Sequence, residues 1–156
     1  MSGTTASPAP APARVIATAV VVAVVVNLAI FFLGGLAGAS YAFTSPAGPA
    51  TVAAVVVVAF TIIPLALGLT VVAVTRRWWP GVVTVALIVA PILEIGTIFA
   101  LTLPADFDGP STIALALCHV ALVPVTVLAL RRLGAGQLGA PAEKTRAAHR
   151  QSGTRG

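Results

Sequence analysis

Four long apolar runs organise the sequence, at residues 15–36, 51–74, 81–103 and 111–130. A helix rises about 1.5 Å per residue and the hydrocarbon core of a bilayer is about 30 Å thick, so each run is long enough to cross it once. Valine-rich stretches such as 20–26 favour strands in water, but an isolated segment in lipid satisfies its backbone hydrogen bonds only as a helix. The pattern predicts an all-α polytopic membrane protein with four transmembrane helices in an up-down bundle.

Composition narrows the class of protein. Of the 156 residues, 58% are hydrophobic and 8% are charged, and the mean hydropathy is +1.06. A soluble domain carries about 25% charged residues, and a disordered chain needs low hydrophobicity, so both classes are excluded. The single cysteine, Cys118, excludes an intrachain disulfide and a cysteine-based zinc site.

The basic residues all lie on one side of the predicted helices. Arg14 precedes the first run, and Arg76 and Arg77 follow the second. The other six follow the fourth run: Arg131, Arg132, Lys144, Arg146, Arg150 and Arg155. The loops at 37–50 and 104–110 contain no Lys or Arg. By the positive-inside rule we expect both termini to be cytoplasmic, with the protein in the plasma membrane.

The chain divides into three segments. Residues 1–13 are rich in Pro, Ala, Ser and Thr and predict a disordered tail, residues 14–132 form the transmembrane domain, and residues 133–156 form a basic disordered tail. We expect the basic tail to contact anionic lipid headgroups and not nucleic acid, because no aromatic residue is interleaved with its charges. The first apolar run is longer than the core of a signal peptide, about 7–15 residues, although cleavage after it stays an alternative.

The outer loop at 104–110 carries two acidic residues. Asp106 and Asp108 flank Phe107 and precede a Gly-Pro pair. This arrangement is more typical of a solvated turn than of a cation site.

The predicted helices contain one amide and two ionisable side chains that are costly in lipid: Asn27, Glu94 and His119. A carboxylate at mid-membrane costs about 3 kcal/mol on insertion scales, so we expect Glu94 to face the bundle, find a partner or stay protonated. Counting from the arginines places Glu94 near the level of His119 or somewhat outward of it. A Glu94–His119 contact is therefore our hypothesis, with Asn27 adding a hydrogen bond. Three interpretations stay open: a buried polar clamp, a proton or ion relay, and a contact with a partner protein.

Proline and glycine interrupt the same helices. Kinks are predicted at three prolines, each of which removes one helical hydrogen bond: Pro64, Pro91 and Pro124. Gly34 and Gly38 form a G-x-x-x-G step. In the second helix Thr61, Pro64 and Gly68 follow one another at similar spacing. Because small residues let helix backbones approach closely, these three glycines are predicted on packing faces, within the bundle or across a dimer.

No catalytic motif is present in the sequence. It lacks H-E-x-x-H, a Gly-rich phosphate loop with Lys, and G-x-S-x-G, so we expect no enzyme activity. Cys118 and His119 point about 100° apart on a helix and are unsuited to chelating one metal. A b-type haem needs two buried axial ligands, and His119 alone is deep, so haem would require a dimer. We therefore expect no metal and no cofactor.

The polar and aromatic marks together resemble a known family. Asn27 in the first helix, Arg-Arg-Trp-Trp-Pro at 76–80, Pro91 in the third helix and His119 in the fourth are similar to a family of uncharacterised actinobacterial four-helix membrane proteins, a domain of unknown function. The resemblance covers residues 14–132. It implies a four-helix fold in a bacterial plasma membrane and no particular activity.

The sequence thus predicts a multi-pass membrane protein that acts through helix packing, with itself or with a membrane-protein partner. The alternative is a small proton- or ion-coupled transporter or channel subunit that uses Glu94 and His119. Because four helices of this size enclose little volume, transport would require an oligomer.

Overall fold

The computed structural model describes residues 11–138, and within them the chain forms four long helices, one hairpin and one π turn. In chain order the elements are α1 (Pro12–Leu36), β1 (Ala42–Ser45), β2 (Gly48–Thr51), α2 (Ala54–Thr75), α3 (Val82–Thr97), the π turn (Ile98–Thr102) and α4 (Gly109–Leu138). With the π turn counted as part of α3, all four helices are long and apolar enough to cross a membrane. The prediction of a four-helix membrane fold is confirmed. The predicted tails fall largely on 1–10 and 139–156, outside the described residues.

The first and last helices of the chain extend beyond the predicted bounds. α1 begins at Pro12, where a fixed φ suits the first turn and the missing N–H is not needed. α4 continues to Leu138, so the predicted end of the helical domain at 132 is wrong. The helix continues because Leu130 and Leu133, each 1% exposed, still pack against the bundle beyond the apolar run.

The helices pack in the spatial order α2, α1, α4, α3. α1 lies between α2 and α4, and its buried residues recur at every fourth position: Val15, Ala19, Ala23, Asn27 and Phe31. The small side chains in this row let the neighbouring helices approach closely. α2 and α3 are consecutive in the chain but make few contacts, so α3 rests mainly on α4.

One end of the bundle carries every arginine of the described chain, and we call it the arginine end. Its arginines are Arg14 on α1, Arg76 and Arg77 after α2, and Arg131 and Arg132 on α4. The Arg76 guanidinium donates a hydrogen bond to the carbonyl of Leu133. This bond holds the loop between α2 and α3 against α4.

The loop predicted at 37–50 contains a β-hairpin that the sequence pattern did not indicate. β1 and β2 pair in antiparallel register, with Ser45 opposite Gly48 across a two-residue turn. Gly48 has a φ of +113°, which glycine adopts without steric cost. Because β2 ends at Thr51, α2 begins at Ala54 and not at the predicted residue 51.

Two carboxylates fasten this hairpin to the loop before α4. Asp106 accepts hydrogen bonds from the hydroxyl and the backbone N–H of Thr44, each at 2.7 Å. Asp108 accepts from the hydroxyl and the N–H of Ser40, and from the N–H of Ser111 at 2.7 Å, where it caps α4. These hydrogen bonds, chiefly from the Thr44 and Ser40 hydroxyls, hold the pKa of both carboxyls below their usual value. Both carboxylates are at the surface, as the interpretation of a solvated turn expects, but the sequence did not predict that they join two loops.

Tyr41 connects these loops to the helices. Its ring stacks on Phe31 with centroids 4.1 Å apart, and its hydroxyl donates to the Phe31 carbonyl at 2.5 Å. Its backbone N–H donates to the Ser111 hydroxyl oxygen at 2.8 Å. We call residues 37–53 together with 103–110 the cap, and the end of the bundle that it covers the cap end.

Candidate functional site

The first polar contact inside the membrane-spanning region joins α1 to α2. Asn27 is 3% exposed, and its side-chain N–H donates to the Thr61 hydroxyl oxygen at 2.9 Å. The Thr61 hydroxyl donates in turn to the carbonyl of Val57, one turn earlier in α2, at 2.7 Å. The hydroxyl is thereby used as donor and as acceptor, and the contact fixes the rotation and depth of α1 against α2.

Asn27 also contacts α4 through its backbone. The Cys118 thiol donates to the Asn27 carbonyl oxygen at 3.7 Å. The side-chain oxygen of Asn27, Oδ1, is buried and has no hydrogen-bond partner among the described residues. Asn27 therefore touches both neighbours of α1 and still holds one unused acceptor in the centre of the bundle.

The second polar contact joins α3 to α4. The Thr126 hydroxyl, on a side chain that is 4% exposed, donates to Oε1 of Glu94 at 2.5 Å. The other carboxyl oxygen, Oε2, is buried and lacks a hydrogen-bond partner within residues 11–138. Because α3 rests mainly on α4, that helix supplies the one hydrogen bond to the carboxyl. Oε2 is left to carry a proton or to accept a donor from elsewhere.

His119 is also held by a threonine. The Thr97 hydroxyl oxygen lies 2.7 Å from the Glu94 carbonyl oxygen and 3.0 Å from Nδ1 of His119. A hydroxyl has one hydrogen, so when Thr97 donates to the carbonyl it accepts from Nδ1–H, and the neutral ring then carries its lone pair on Nε2. The helix changes into the π turn directly after Thr97, a feature that is frequent at functional sites.

Glu94 and His119 do not form the hypothesised pair in the described part of the chain. The Glu94 side chain bonds Thr126 and the His119 ring bonds Thr97, with no hydrogen bond or ion pair between them. Thr126 lies seven residues nearer the arginine end of α4 than His119, so the expected level of Glu94 is also wrong. Counting from the arginines misplaces Glu94 because α3 begins only at Val82.

The three prolines lie inside helices that continue past them. Pro64 is within α2, Pro91 within α3 and Pro124 within α4. Pro64 and Pro124 are exposed, and Pro91 is half-buried one turn before Glu94. The kinks expected at these positions stay a prediction.

Of the three predicted packing glycines, Gly34 is the closely packed one. A Cβ at this position would lie closer than 3.0 Å to the Tyr41 hydroxyl oxygen and to the Ala114 Cβ. A Cβ at Gly38 or Gly68 would meet no atom within 4 Å. The packing prediction is therefore wrong for these two within the chain, because Gly38 lies beyond the end of α1 with a φ of +94° and Gly68 faces outward on α2.

Sequence reasoning missed the threonines that hold the ionisable groups. Thr97 follows Glu94 by three residues and so shares its helix face, a signal that the sequence does carry. Thr126 belongs to another helix, and its pairing with Glu94 depends on how α3 and α4 are rotated. Residues 11–138 contain no group of three His, Cys, Asp or Glu side chains placed to hold a metal ion.

Comparison with known proteins identifies a family but no activity. Residues 7–135 match DUF6069, which is described as a family of unknown function. No curated protein and no solved structure matches the chain. The match contains the four transmembrane helices almost entirely and is slightly longer than the resemblance at 14–132. The prediction of a family of unknown function is confirmed, and the chain belongs to DUF6069.

Proposed function

We propose that this chain is a non-enzymatic membrane subunit that acts by packing α3 against α3 of a second copy of itself. The supporting observation is the uneven burial of this helix. Its buried residues are Val82 and Val83 at the start and Thr102 in the π turn, whereas buried residues in α1 and α2 recur along the whole helix.

An apolar face alone does not call for a protein partner, because lipid covers it equally well. Glu94 distinguishes α3 from the other helices. A carboxyl within the membrane costs about 3 kcal/mol on insertion scales, and Thr126 supplies a hydrogen bond to one of its two oxygens. A second copy that donates a hydrogen bond to Oε2 would give this buried oxygen the partner that it lacks within residues 11–138.

Cysteine crosslinking in native membranes tests the proposal. In a Cys118→Ala background, single cysteines at Leu93 and Leu101, which are exposed and lie within about 100° of Glu94 around α3 and its π turn, are expected to give disulfide-linked dimers on mild oxidation. Cysteines at Ile63 and Leu67, equally exposed on α2, are the matched control and are expected to stay monomeric. Equal crosslinking on both helices, or monomers at all four positions, contradicts the proposal.

A second candidate function is proton or ion coupling through Glu94 and His119. The observation that favours it is that both side chains keep a proton-exchanging atom outside the threonine hydrogen bonds, Oε2 on Glu94 and Nε2 on His119. Both atoms belong to the same pair of helices. Such coupling is an expected role for ionisable residues within a membrane.

Proton flux into proteoliposomes with an entrapped pH dye tests this candidate. Glu94→Gln keeps an acceptor for Thr126 but removes the ionisable group. Lost flux with an unchanged folded yield supports coupling, and His119→Gln is expected to act in the same direction. Flux equal to that of the wild type in Glu94→Gln eliminates the relay.

We also propose that the protein lies in the plasma membrane with its arginine end on the cytoplasmic side, as the positive-inside rule favours. A membrane-impermeant maleimide added to intact cells is expected to label Ala47→Cys, at the exposed tip of the hairpin, in the Cys118→Ala background. Ala135→Cys, exposed at the arginine end, is expected to need permeabilised cells. The opposite labelling pattern contradicts this orientation.

A further inference from the structure

A groove of about 430 Å³ lies between α1 and α2 at the arginine end. Ile16 and Ala17 form its α1 wall together with the first turn of that helix, and Ala73 and Val74 belong to its α2 wall. The remaining lining residues are Thr70 and Arg77. Short alanine side chains on both walls leave the space open, so the groove is apolar along its length and has the Arg77 side chain in its lining.

The guanidinium of Arg77 is available to a ligand. Arg77 is exposed, and no hydrogen bond or ion pair engages it within the described residues. Its neighbour Arg76 points elsewhere and donates to the Leu133 carbonyl. The three acidic residues of the described chain lie in the middle of α3 or in the cap, so none of them reaches Arg77.

We propose that this groove binds one anionic phospholipid, with an acyl chain along the apolar walls and the phosphate on Arg77. A guanidinium presents paired N–H donors that match phosphate oxygens. An acyl chain gains no hydrophobic free energy when it leaves other lipids for the groove. The walls therefore contribute only a fit to the shape of the chain, and the preference for one headgroup over another comes from the Arg77 cation. The site therefore prefers anionic over zwitterionic headgroups.

A second groove at the same end provides a matched control. It lies between α1 and α4, has a volume of about 160 Å³ and ends at the exposed Arg132. It combines the same charge with less than half the space. An effect of Arg77 that Arg132 does not reproduce therefore depends on the larger groove and not on the overall charge of this surface.

Two native tryptophans, next to Arg77 in the sequence, report on lipid at the arginine end. Trp78 and Trp79 directly follow Arg77, both are exposed, and the sequence contains no others. In vesicles of phosphatidylcholine and phosphatidylglycerol, with brominated chains on one lipid at a time, quenching of tryptophan fluorescence measures relative affinity. One cation beside an anionic lipid predicts a preference of about fivefold for phosphatidylglycerol in the wild type.

Three surface variants of the full chain decide the proposal. Arg77→Gln is expected to abolish the preference, Ala17→Phe to reduce it by filling the groove with the cation still present, and Arg132→Gln to leave it unchanged. Equal losses in Arg77→Gln and Arg132→Gln would show diffuse attraction and overturn the site. A preference unchanged by Ala17→Phe would overturn the groove. Unchanged helical circular dichroism in each variant confirms that the fold is intact.

Discussion

Two of the polar contacts within the membrane region use the same chemistry in different surroundings. Asn27 pairs with Thr61 and Glu94 with Thr126, and each leaves one oxygen without a partner in the described chain. Asn27 lies on a helix with neighbours on both sides, whereas Glu94 lies on α3, which rests mainly on one neighbour. This difference favours a stabilising role for Asn27, whereas the single hydrogen bond to Glu94 is set against the cost of a carboxyl in the membrane.

The largest effect is expected at Gly34, on the closely packed side of this comparison. Gly34→Ala forces a Cβ against Tyr41 and the Ala114 Cβ, so α1 and α4 must separate. We expect a loss of about 1–3 kcal/mol in the free energy of unfolding, measured with SDS in mixed micelles. The control Gly96→Ala on α3 meets no atom within 4 Å, and we expect it to gain about 0.5–1 kcal/mol from helix propensity. Equal stabilities would refute close packing along α1.

On the other side of the comparison, Glu94→Leu is expected to raise stability. The substitution removes a carboxyl of which one oxygen has no hydrogen-bond partner in the described chain. The leucine that replaces it is apolar and can pack against α4 or contact lipid. We expect a gain of about 1–2 kcal/mol in the same unfolding measurement. A clear loss would mean that the carboxyl clamps α3 to α4, and the contrast with Asn27 would disappear.

A smaller effect is expected from the hydrogen bond between Asn27 and Thr61. A double-mutant cycle of Asn27→Ala and Thr61→Val isolates this bond from changes in packing. We expect a coupling energy of about 0.6–1.7 kcal/mol, typical of interhelical hydrogen bonds in membranes. A coupling energy of zero would show that the contact only fills space.

The smallest effect on the bundle is expected from acidification of the cap. Hydrogen bonds from Thr44 and Ser40 lower the pKa of Asp106 and Asp108 from the usual 3.8. A carboxyl with a lowered folded-state pKa stabilises the fold above its unfolded pKa and loses that contribution as pH falls through the folded pKa. The carboxylates therefore stabilise the cap fully at neutral pH, and this contribution declines as the pH falls from about 3.8 toward the lowered folded-state pKa values, while the helices stay in lipid.

Spin-label mobility at Ala47→Cys measures this decline, with Cys118 replaced by alanine. Asp106→Asn and Asp108→Asn are expected to give a mobile label already at neutral pH. A label in Asp106→Asn and Asp108→Asn that is as immobile at neutral pH as in the wild type would show that the apolar contacts of Tyr41 hold the cap without the carboxylates.

The helices were predictable because an isolated apolar segment in lipid can satisfy its backbone hydrogen bonds only as a helix. The cap was not predictable, since its hydrogen bonds join Ser40 to Asp108 and Thr44 to Asp106, 68 and 62 residues apart. Its hairpin has few apolar residues of its own to show an alternating pattern.

The candidate site was predictable in its members but not in its contacts. Asn27, Glu94 and His119 are conspicuous in apolar helices, whereas the threonines that bind them are ordinary there. In a membrane the outside of a helix is as apolar as its inside, so the sequence does not reveal which face is buried. The rotation that directs Glu94 to Thr126 and His119 to Thr97 appears only in the structure.

Cys118 is the one thiol in the chain, and it is 6% exposed between α4 and the backbone of α1. An alkylating reagent reaches it when those two helices part. The rate of Cys118 alkylation in living cells therefore measures how often α1 and α4 separate in the native protein, with no added dye or engineered residue.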